Sequence, residues 1–450
     1  MNDTITLDEY MVWPLPPAVY GRAVSTANTT KSSRHKPTHV FKWVGFKESV
    51  VEWIAANHEN HSQRVQRPVF IPRVITEEVQ TLQPFIQDNL LDISSRCFIP
   101  PSEFTPRRQI ESCRGEPDHL MTRSGNIIAL VEEKGKWTLN NPDIVGTYST
   151  ANATAAAIHQ LYHYMRLNHR MYGILTSYEN TWFMYRSVDC SVCEKQGHET
   201  LYITDGFSFA SQGPSVLQCI AYFNTIVNSD FMPSPPTSKL DSRANPTTQV
   251  SRPSSPAISP SGSISRGVNP LSSGIPTTDR FGSHHQPQDF DADDFHLDKV
   301  LGQGRSKVYL DYYESEPIAL KVADIAKRRE MLPELLNEVS IYEHLSQLQG
   351  NGIPRFILHG LIEDILYCVG VSICGRVVEV FTDDQKQKLM NTLDNIHKAG
   401  ILHNDIKKEN ILIDESGKPF IIDFGFASKS NSLDAQMEER NLLLSLIEST

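Results

Sequence analysis

The stretch His403–Gly425, HNDIKKENILIDESGKPFIIDFG, restricts this chain more than any other. An H-x-D is followed five residues later by Asn410, and two apolar runs joined by a polar turn then lead into Asp423-Phe424-Gly425. The apolar runs predict a short hairpin, with a carboxylate and an amide before it and a second carboxylate after it. That set of side chains suits phosphoryl transfer. Asp405 can orient an attacking hydroxyl, and Asn410 and Asp423 offer the hard oxygens that Mg²⁺ prefers.

In this order the residues resemble the catalytic and metal-binding loops of protein kinases, which implies that Lys407 neutralises the γ-phosphate. The stretch upstream extends the resemblance. Leu301–Tyr309 is similar to a Gly-rich loop, with Gly302, Gly304 and Val308 at the nucleotide positions. It departs from the pattern because the third glycine is absent, Ser306 is the nearest small residue, and the loop is one residue short. Ile318-Ala319-Leu320-Lys321 resembles the strand whose lysine contacts the α- and β-phosphates, Ala319 being its nucleotide-facing neighbour. PELLNEVSIYEHLSQL reads as an amphipathic helix in which Glu338 is the expected ion-pair partner of Lys321, and Glu334, one turn earlier, the second choice.

ILYCVGVSICGR reads as a sheet edge and hinge, and TDDQKQKLMNTLDNIHKAG as a helix burying Leu389, Leu393 and Ile396. His403 is expected to pack beside the DFG turn. Asn404 stands where many kinases carry an Arg that pairs with a phosphorylated loop, so activation by that route is not expected. No APE-like motif occurs in the 25 residues after Gly425, and Asp434–Glu448 reads as one helix under the catalytic loop. The resemblance implies a compact, bilobal protein-kinase-like domain over 290–450 with a truncated large lobe, similar to the lipopolysaccharide-kinase-like group. It also implies ATP and Mg²⁺ as cofactors.

Residues 232–289 are dominated by Ser, Pro, Thr and Gly. Such a segment buries too little apolar surface to offset its ordering entropy. As a flexible coil it would span roughly 40 Å, and it is expected to tether two independent domains. Ser255-Pro256 and Ser259-Pro260 are candidate phosphoacceptors within it. A net charge of −11 argues against indiscriminate coating of nucleic acid. Seven cysteines without a regular framework suggest a reducing compartment. The N-terminus lacks a signal-peptide pattern, and no apolar run reaches the about 18 residues of a membrane span. A cytoplasmic or nuclear protein without a membrane partner is expected.

Residues 1–65 read as a small helical header, because HVFKWVGFKESVVEWIAANHE has helix-like spacing. Residues 66–231 read as an α/β domain. TEEVQTLQPFIQDNLLDI predicts a helix burying Val79, Leu82, Phe85, Ile86 and Leu90, and a hairpin of two core strands follows around Ser124-Gly125-Asn126. Cys190-x-x-Cys193 with His198 lacks a fourth zinc ligand, Ile203 standing where one would fall, and reads as a hairpin turn.

In the predicted hairpin, Asp118 and Glu132-x-Lys134 resemble the PD-(D/E)xK nuclease superfamily. Glu132 and Lys134 are two apart and share a strand face, with Glu133 opposite. The resemblance implies a restriction-endonuclease-like fold in which Asp118 and Glu132 hold Mg²⁺, Lys134 supports the reacting phosphate, and Glu77 or Glu78 is a further candidate ligand. Gln160-x-x-x-Tyr164, one turn apart on a helix, resembles the motif lining the cleft of the RecB-like branch. Between Gln66 and Arg186, twelve basic residues face twelve acidic ones, so no basic footprint for DNA stands out.

The combination of multidomain α/β and α+β parts is similar to fungal kinase-like proteins and Crinkler-type effectors. It implies a protein Ser/Thr kinase acting on a protein substrate, its own linker included, with DNA as a second candidate partner. Two alternatives stay open: a Mg²⁺-dependent nuclease regulated by nucleotide binding, and a catalytically weak DNA-binding scaffold.

Overall fold

The computed structural model describes residues 4–25, 36–106, 112–189, 196–227, 286–297 and 299–448. Most of the Ser/Pro-rich segment, both Ser-Pro dipeptides, and Cys190 and Cys193 lie outside them. Among the described residues no helix is long and apolar enough to cross a membrane.

The N-terminal part is built on a mixed sheet. Its strands in chain order are β1 (His39–Lys42), β2 (Glu103–Pro106), β3 (His119–Arg123), β4 (Asn126–Glu133), β5 (Tyr172–Thr176), β6 (Asn180–Asp189) and β7 (Gln196–Ile203). In space they run β1-β7-β6-β5-β4-β3-β2, and Phe207–Ser208 also pairs with β6. Ser124 and Gly125, both at positive φ, close the two-residue turn between β3 and β4, as right-twisted strands favour. Because β4 and β5 are parallel, a crossover is required, and helix α2 (Asn152–Leu167) supplies it.

A bulge at Ile128 interrupts the alternation along β4, so that Ile128, Ala129 and Val131 reach the core beneath α3 (Val216–Ile226), and Ile127 and Leu130 reach the core with α2. The irregular helix spanning 78–95 buries Leu82, Phe85, Ile86 and Leu90 in the first of these, but Val79 is exposed. Val79 lies in the opening π-helical turn, which shifts the expected stripe.

The first 65 residues correct the expectation of a helical header. Helix α1 (Phe46–Ala56) is there, but β1 is an edge strand of the main sheet, parallel to β7. Thr4–Thr6 pairs with Arg64–Gln66, and Val19–Ser25 with Val74–Glu77. The helix-like spacing hid β1 because its partner lies more than 150 residues away in sequence.

After residue 285 a second sheet forms from β8 (Gln288–Phe290), β9 (Lys299–Gln303), β10 (Lys307–Tyr313), β11 (Glu316–Asp324), β12 (Phe356–Ile362) and β13 (Leu366–Ser372), ordered β8-β12-β13-β11-β10-β9. Helix α4 (Met331–His344) packs on β12 and β13. Below lie α5 (Asp383–Lys398), a hairpin of β14 (Ile411–Ile413) and β15 (Pro419–Ile421), and α6 (Leu433–Glu448). Thr382 caps α5 with Gln385 in a reciprocal pair, and Leu389, Leu393 and Ile396 are buried as their spacing predicts.

The two parts are not independent. The described residues on both sides of 228–285 gather into one compact unit. One apolar core runs through both, with Leu161, Tyr164 and Met165 of α2 joined to Ile318, Leu320, Leu358 and Ile362 of the second sheet. Each fully buried side chain of this kind contributes about 1.5–3 kcal/mol, so the shared core outweighs the freedom of a long tether. Helix α2 explains how this arises. From Gln160 to Leu167 every side chain is buried, because one face meets β4 and β5 and the other meets the second sheet.

Candidate active site

Strand β11 sorts its side chains by alternation. Ile318, Leu320 and Val322 enter the shared core, while Ala319, Lys321 and Ala323 take the opposite face. In α4, Glu338 sits on the buried face with Leu335, Val339 and Tyr342. Lys321 Nζ therefore meets Glu338 Oε2 at 2.8 Å and Asp423 Oδ1 at 2.7 Å. Burial works against each of these charges. For Lys321 the two carboxylates outweigh it and raise the ammonium above its ordinary range, and for Asp423 the lysine outweighs it and holds the carboxyl low. For Glu338 burial dominates and the shift is upward. Glu334 serves elsewhere: it pairs with Arg305 at 2.8 Å.

Asp405 lies before the β14–β15 hairpin. Lys407 Nζ donates to Asp405 Oδ2 at 2.6 Å, and Asn410 Nδ2 donates to the same oxygen at 2.9 Å. Asn410 has thus committed its NH₂, and Oδ1 is the oxygen it would offer a cation. His403 is fully buried, its Nε2 bonds the Ile422 carbonyl at 3.0 Å, and its ring packs on Phe424 at 4.8 Å. Burial pushes its pKa down, so the ring is a neutral strut. Asn404, at positive φ, donates Nδ2 to the Phe426 carbonyl at 2.9 Å and to Ser428 Oγ at 2.8 Å. Asn404 thus ties the segment after Gly425 directly to the loop that bears Asp405. Glu439 of α6 accepts from the backbone N–H groups of His403 and Asn404, at 3.1 and 2.6 Å, bringing the last helix under that loop.

Gly302 pairs with Val308 across the turn between β9 and β10, Gly304 N donates to the Ser306 carbonyl at 3.0 Å, and Val308 lies opposite Lys321. Arg305, at the loop tip, also approaches the Phe426 ring at 5.6 Å. Among the described residues no three His, Cys, Asp or Glu side chains converge as a metal cage. Asn410 and Asp423 fit a Mg²⁺ that completes its shell with phosphates and water.

The nuclease-like residues also converge. Lys134 Nζ donates to Glu132 Oε1 at 2.8 Å, and the Glu133 N–H donates to Asp118 Oδ2 at 2.8 Å. Glu133 turns to the other face and meets His119 Nδ1 at 2.9 Å. The irregular helix reaches Asp118 through Gln83 Nε2, at 2.6 Å, rather than through the expected Glu77 or Glu78. Between the two carboxylates sits a residue from the other sheet's side: Lys327 Nζ lies 2.6 Å from Asp118 Oδ1 and 2.7 Å from Glu132 Oε1. Two oxygens within reach of one cation are a fit donor set for Mg²⁺, but here the cation is an ammonium. Burial opposes both charges, yet Lys327 and Lys134 hold Asp118 below its ordinary range, while Asp118 and Glu132 hold Lys327 above its own.

Gln160 and Tyr164 face this seam. Gln160 Nε2 donates to Tyr164 Oη at 3.3 Å, and Tyr164 donates to Asp324 Oδ2 at 2.9 Å. Arg166 grips Glu363 with two N–H groups, at 2.7 and 2.9 Å. None of Asp324, Lys327, Arg328 or Glu363 stood out in sequence. The available signal was α2 itself, in which Gln160, His163 and Arg166 are set among Leu161, Tyr162, Tyr164, Met165 and Leu167.

Residues 374–441 match the protein kinase domain family. The chain is 30% identical over 162 residues to CBL-interacting protein kinase 16 of Oryza sativa subsp. japonica, covering 33% of this chain and 35% of that protein. It is 30% identical over 151 residues to a probable cAMP-dependent protein kinase catalytic subunit of Encephalitozoon cuniculi, covering 30% and 46%. It is also 30% identical over 146 residues to the serine/threonine-protein kinase grp of Drosophila melanogaster, covering 29% and 28%. The chain thus spans less than half the length of these relatives, and it carries a protein kinase domain at 374–441.

Proposed function

We propose that this kinase domain is an active, ATP- and Mg²⁺-dependent enzyme that phosphorylates Ser and Thr hydroxyls of proteins. The observation carrying this reading is the Lys321 ammonium held between Glu338 and Asp423 at 2.8 and 2.7 Å. That arrangement fixes a cation for the α- and β-phosphates beside a carboxylate for the metal. Asp405 orients the attacking hydroxyl and takes its proton as the oxygen bonds to the γ-phosphorus. The bond to the β,γ-bridging oxygen breaks, and ADP leaves with that electron pair. Lys407 balances charge on the transferred group. Asn410 and Asp423 would hold Mg²⁺, which supplies charge neutralisation on the phosphates. Gly302, Gly304, Val308 and Ala319 bound the nucleotide.

The experiment is intact-mass measurement of phosphate incorporated by the purified full chain with Mg-ATP, beside Asp405→Ala. Phosphate on the wild type alone supports the reading, and mapping to residues 232–289 would identify the linker as a substrate. Wild type and variant alike without phosphate, on the chain itself and on a mixed Ser/Thr peptide pool, would overturn it.

A second reading, a Mg²⁺-dependent nuclease acting on DNA, draws support from the convergence of Asp118, Glu132 and Lys134. It requires Lys327 to leave the carboxylates. Plasmid cleavage by Lys327→Ala but not by Asp118→Ala is the result that reading demands.

A further inference from the structure

Six residues, 325–330, join the strand bearing Lys321 to the helix bearing Glu338. The Ile325 N–H bonds the Ile365 carbonyl at 2.9 Å, but the charged side chains of Lys327 and Arg328 reach carboxylates of the N-terminal part. Asp324 Oδ1 accepts from the N–H groups of Ala326 and Lys327, at 3.0 and 3.1 Å, and folds the connection into a turn. Its other oxygen accepts from the Glu116 N–H at 2.7 Å and from Tyr164 Oη at 2.9 Å. Gly115, at φ +74°, lets this backbone pass close over Tyr164, where a Cβ would come within 2.8 Å of the ring. Lys327 is seated on Asp118 and Glu132. Arg328 donates Nε to Glu116 Oε2 at 3.0 Å and Nη1 to the Arg305 carbonyl, at the tip of the Gly-rich loop, at 2.8 Å.

From this geometry we infer that Lys327 and Arg328 are positioning residues for the nucleotide site, and that Glu116 and Asp118, in the loop before β3, and Glu132 of β4 are their receptor. The inference rests on the phosphotransfer reading above. The nuclease-like carboxylates act here as a socket. Lys327 fixes where α4 begins, and so where Glu338 stands relative to Lys321. Arg328 relays the socket to the Gly-rich loop, because one guanidinium bonds the Glu116 carboxylate of the N-terminal part and the Arg305 carbonyl between β9 and β10. A charge-assisted hydrogen bond to a backbone carbonyl favours one loop position over the many an exposed loop samples. ATP then meets a loop already in place. The socket acts through other residues and touches no reacting atom.

The test uses the full chain and four variants. Glu116→Ala and Arg328→Ala remove the relay at partly exposed positions (side chains 25% and 36% exposed), where the fold is expected to survive. Arg114→Ala loosens the same contact elsewhere, at the Ala292 carbonyl. Mg-ADP affinity is measured by calorimetry, and ATP KM and kcat by phosphate transfer, with melting temperature as the fold check. The relay variants should weaken Mg-ADP binding and raise ATP KM by about five- to tenfold, with kcat within about twofold. Arg328→Lys should recover part of the loss, and Arg114→Ala should leave KM unchanged. An unchanged KM in both relay variants, or an equal rise in Arg114→Ala, would overturn the socket while leaving the phosphotransfer reading intact. A wild-type chain that binds no Mg-ADP would overturn both.

Discussion

Two lysines six residues apart sit in almost the same local chemistry. Lys321 lies between Glu338 and Asp423 at 2.8 and 2.7 Å, and Lys327 between Asp118 and Glu132 at 2.6 and 2.7 Å. Charge and distance do not separate them; their surroundings do. Lys321 bonds Asp423, whose side chain is about one-third exposed. Lys327's partners are 6% and 0% exposed, closed in by Gln83, Lys134 and the Glu133 backbone. A lysine between two carboxylates is therefore a candidate site in one setting and a rivet in the other, and access separates the two.

The largest expected effect breaks the first half of the comparison. Asp405→Ala should lower phosphate transfer by about 10²–10⁴-fold, with little change in melting temperature, read by intact mass over time. Lys321→Met should cost about 10²–10³-fold in kcat/KM, by initial rates across ATP concentrations. Lys327→Ala addresses the second half. It leaves two buried carboxylates short of a partner and should destabilise the chain by about 3–5 kcal/mol, read by chemical denaturation. Truncating a rivet should cost stability first, and truncating a catalytic group should cost rate first.

Two smaller effects sharpen the picture. The pKa of His403 is pushed down by burial. An unfolded His takes a proton below about pH 6.5 while the buried ring stays neutral. Its contribution is therefore present above that pH and lost as pH falls below it, so hydrogen-exchange protection factors over 401–410 should drop on acidification and recover near neutrality. Arg305→Ala removes an ion pair to Glu334 from a side chain 55% exposed and should change stability by no more than about 1 kcal/mol, by thermal denaturation.

The contrast also explains what could be read before the fold was known. Lys321, Glu338, Asp405, Asn410 and Asp423 stood out because phosphoryl transfer needs them in a fixed chain order, and α4 puts Glu338 rather than Glu334 on its buried face. Asp118, Glu132, Lys134, Gln160 and Tyr164 were likewise legible as a cluster. Lys327 was not: Lys327-Arg328-Arg329 reads as a solvated basic run, and nothing local says that its first member is buried against a strand some 200 residues away. The tether misled for the same reason. Composition shows how far a Ser/Pro-rich segment can reach, but not that Ile318 and Leu320 fill the second face of α2. The strand His39–Lys42 was missed because its identity comes from pairing with β7 rather than from its own residues.

The most direct measurement is a double-mutant cycle between Lys327→Met and Asp118→Asn, with unfolding free energies of the full chain taken from denaturant titration. A seated pair should show a coupling of about 1.5–3 kcal/mol, with the double variant recovering much of what Lys327→Met alone loses. A coupling indistinguishable from zero would contradict the account, because Lys327 would then not be held by the carboxylates of the N-terminal sheet.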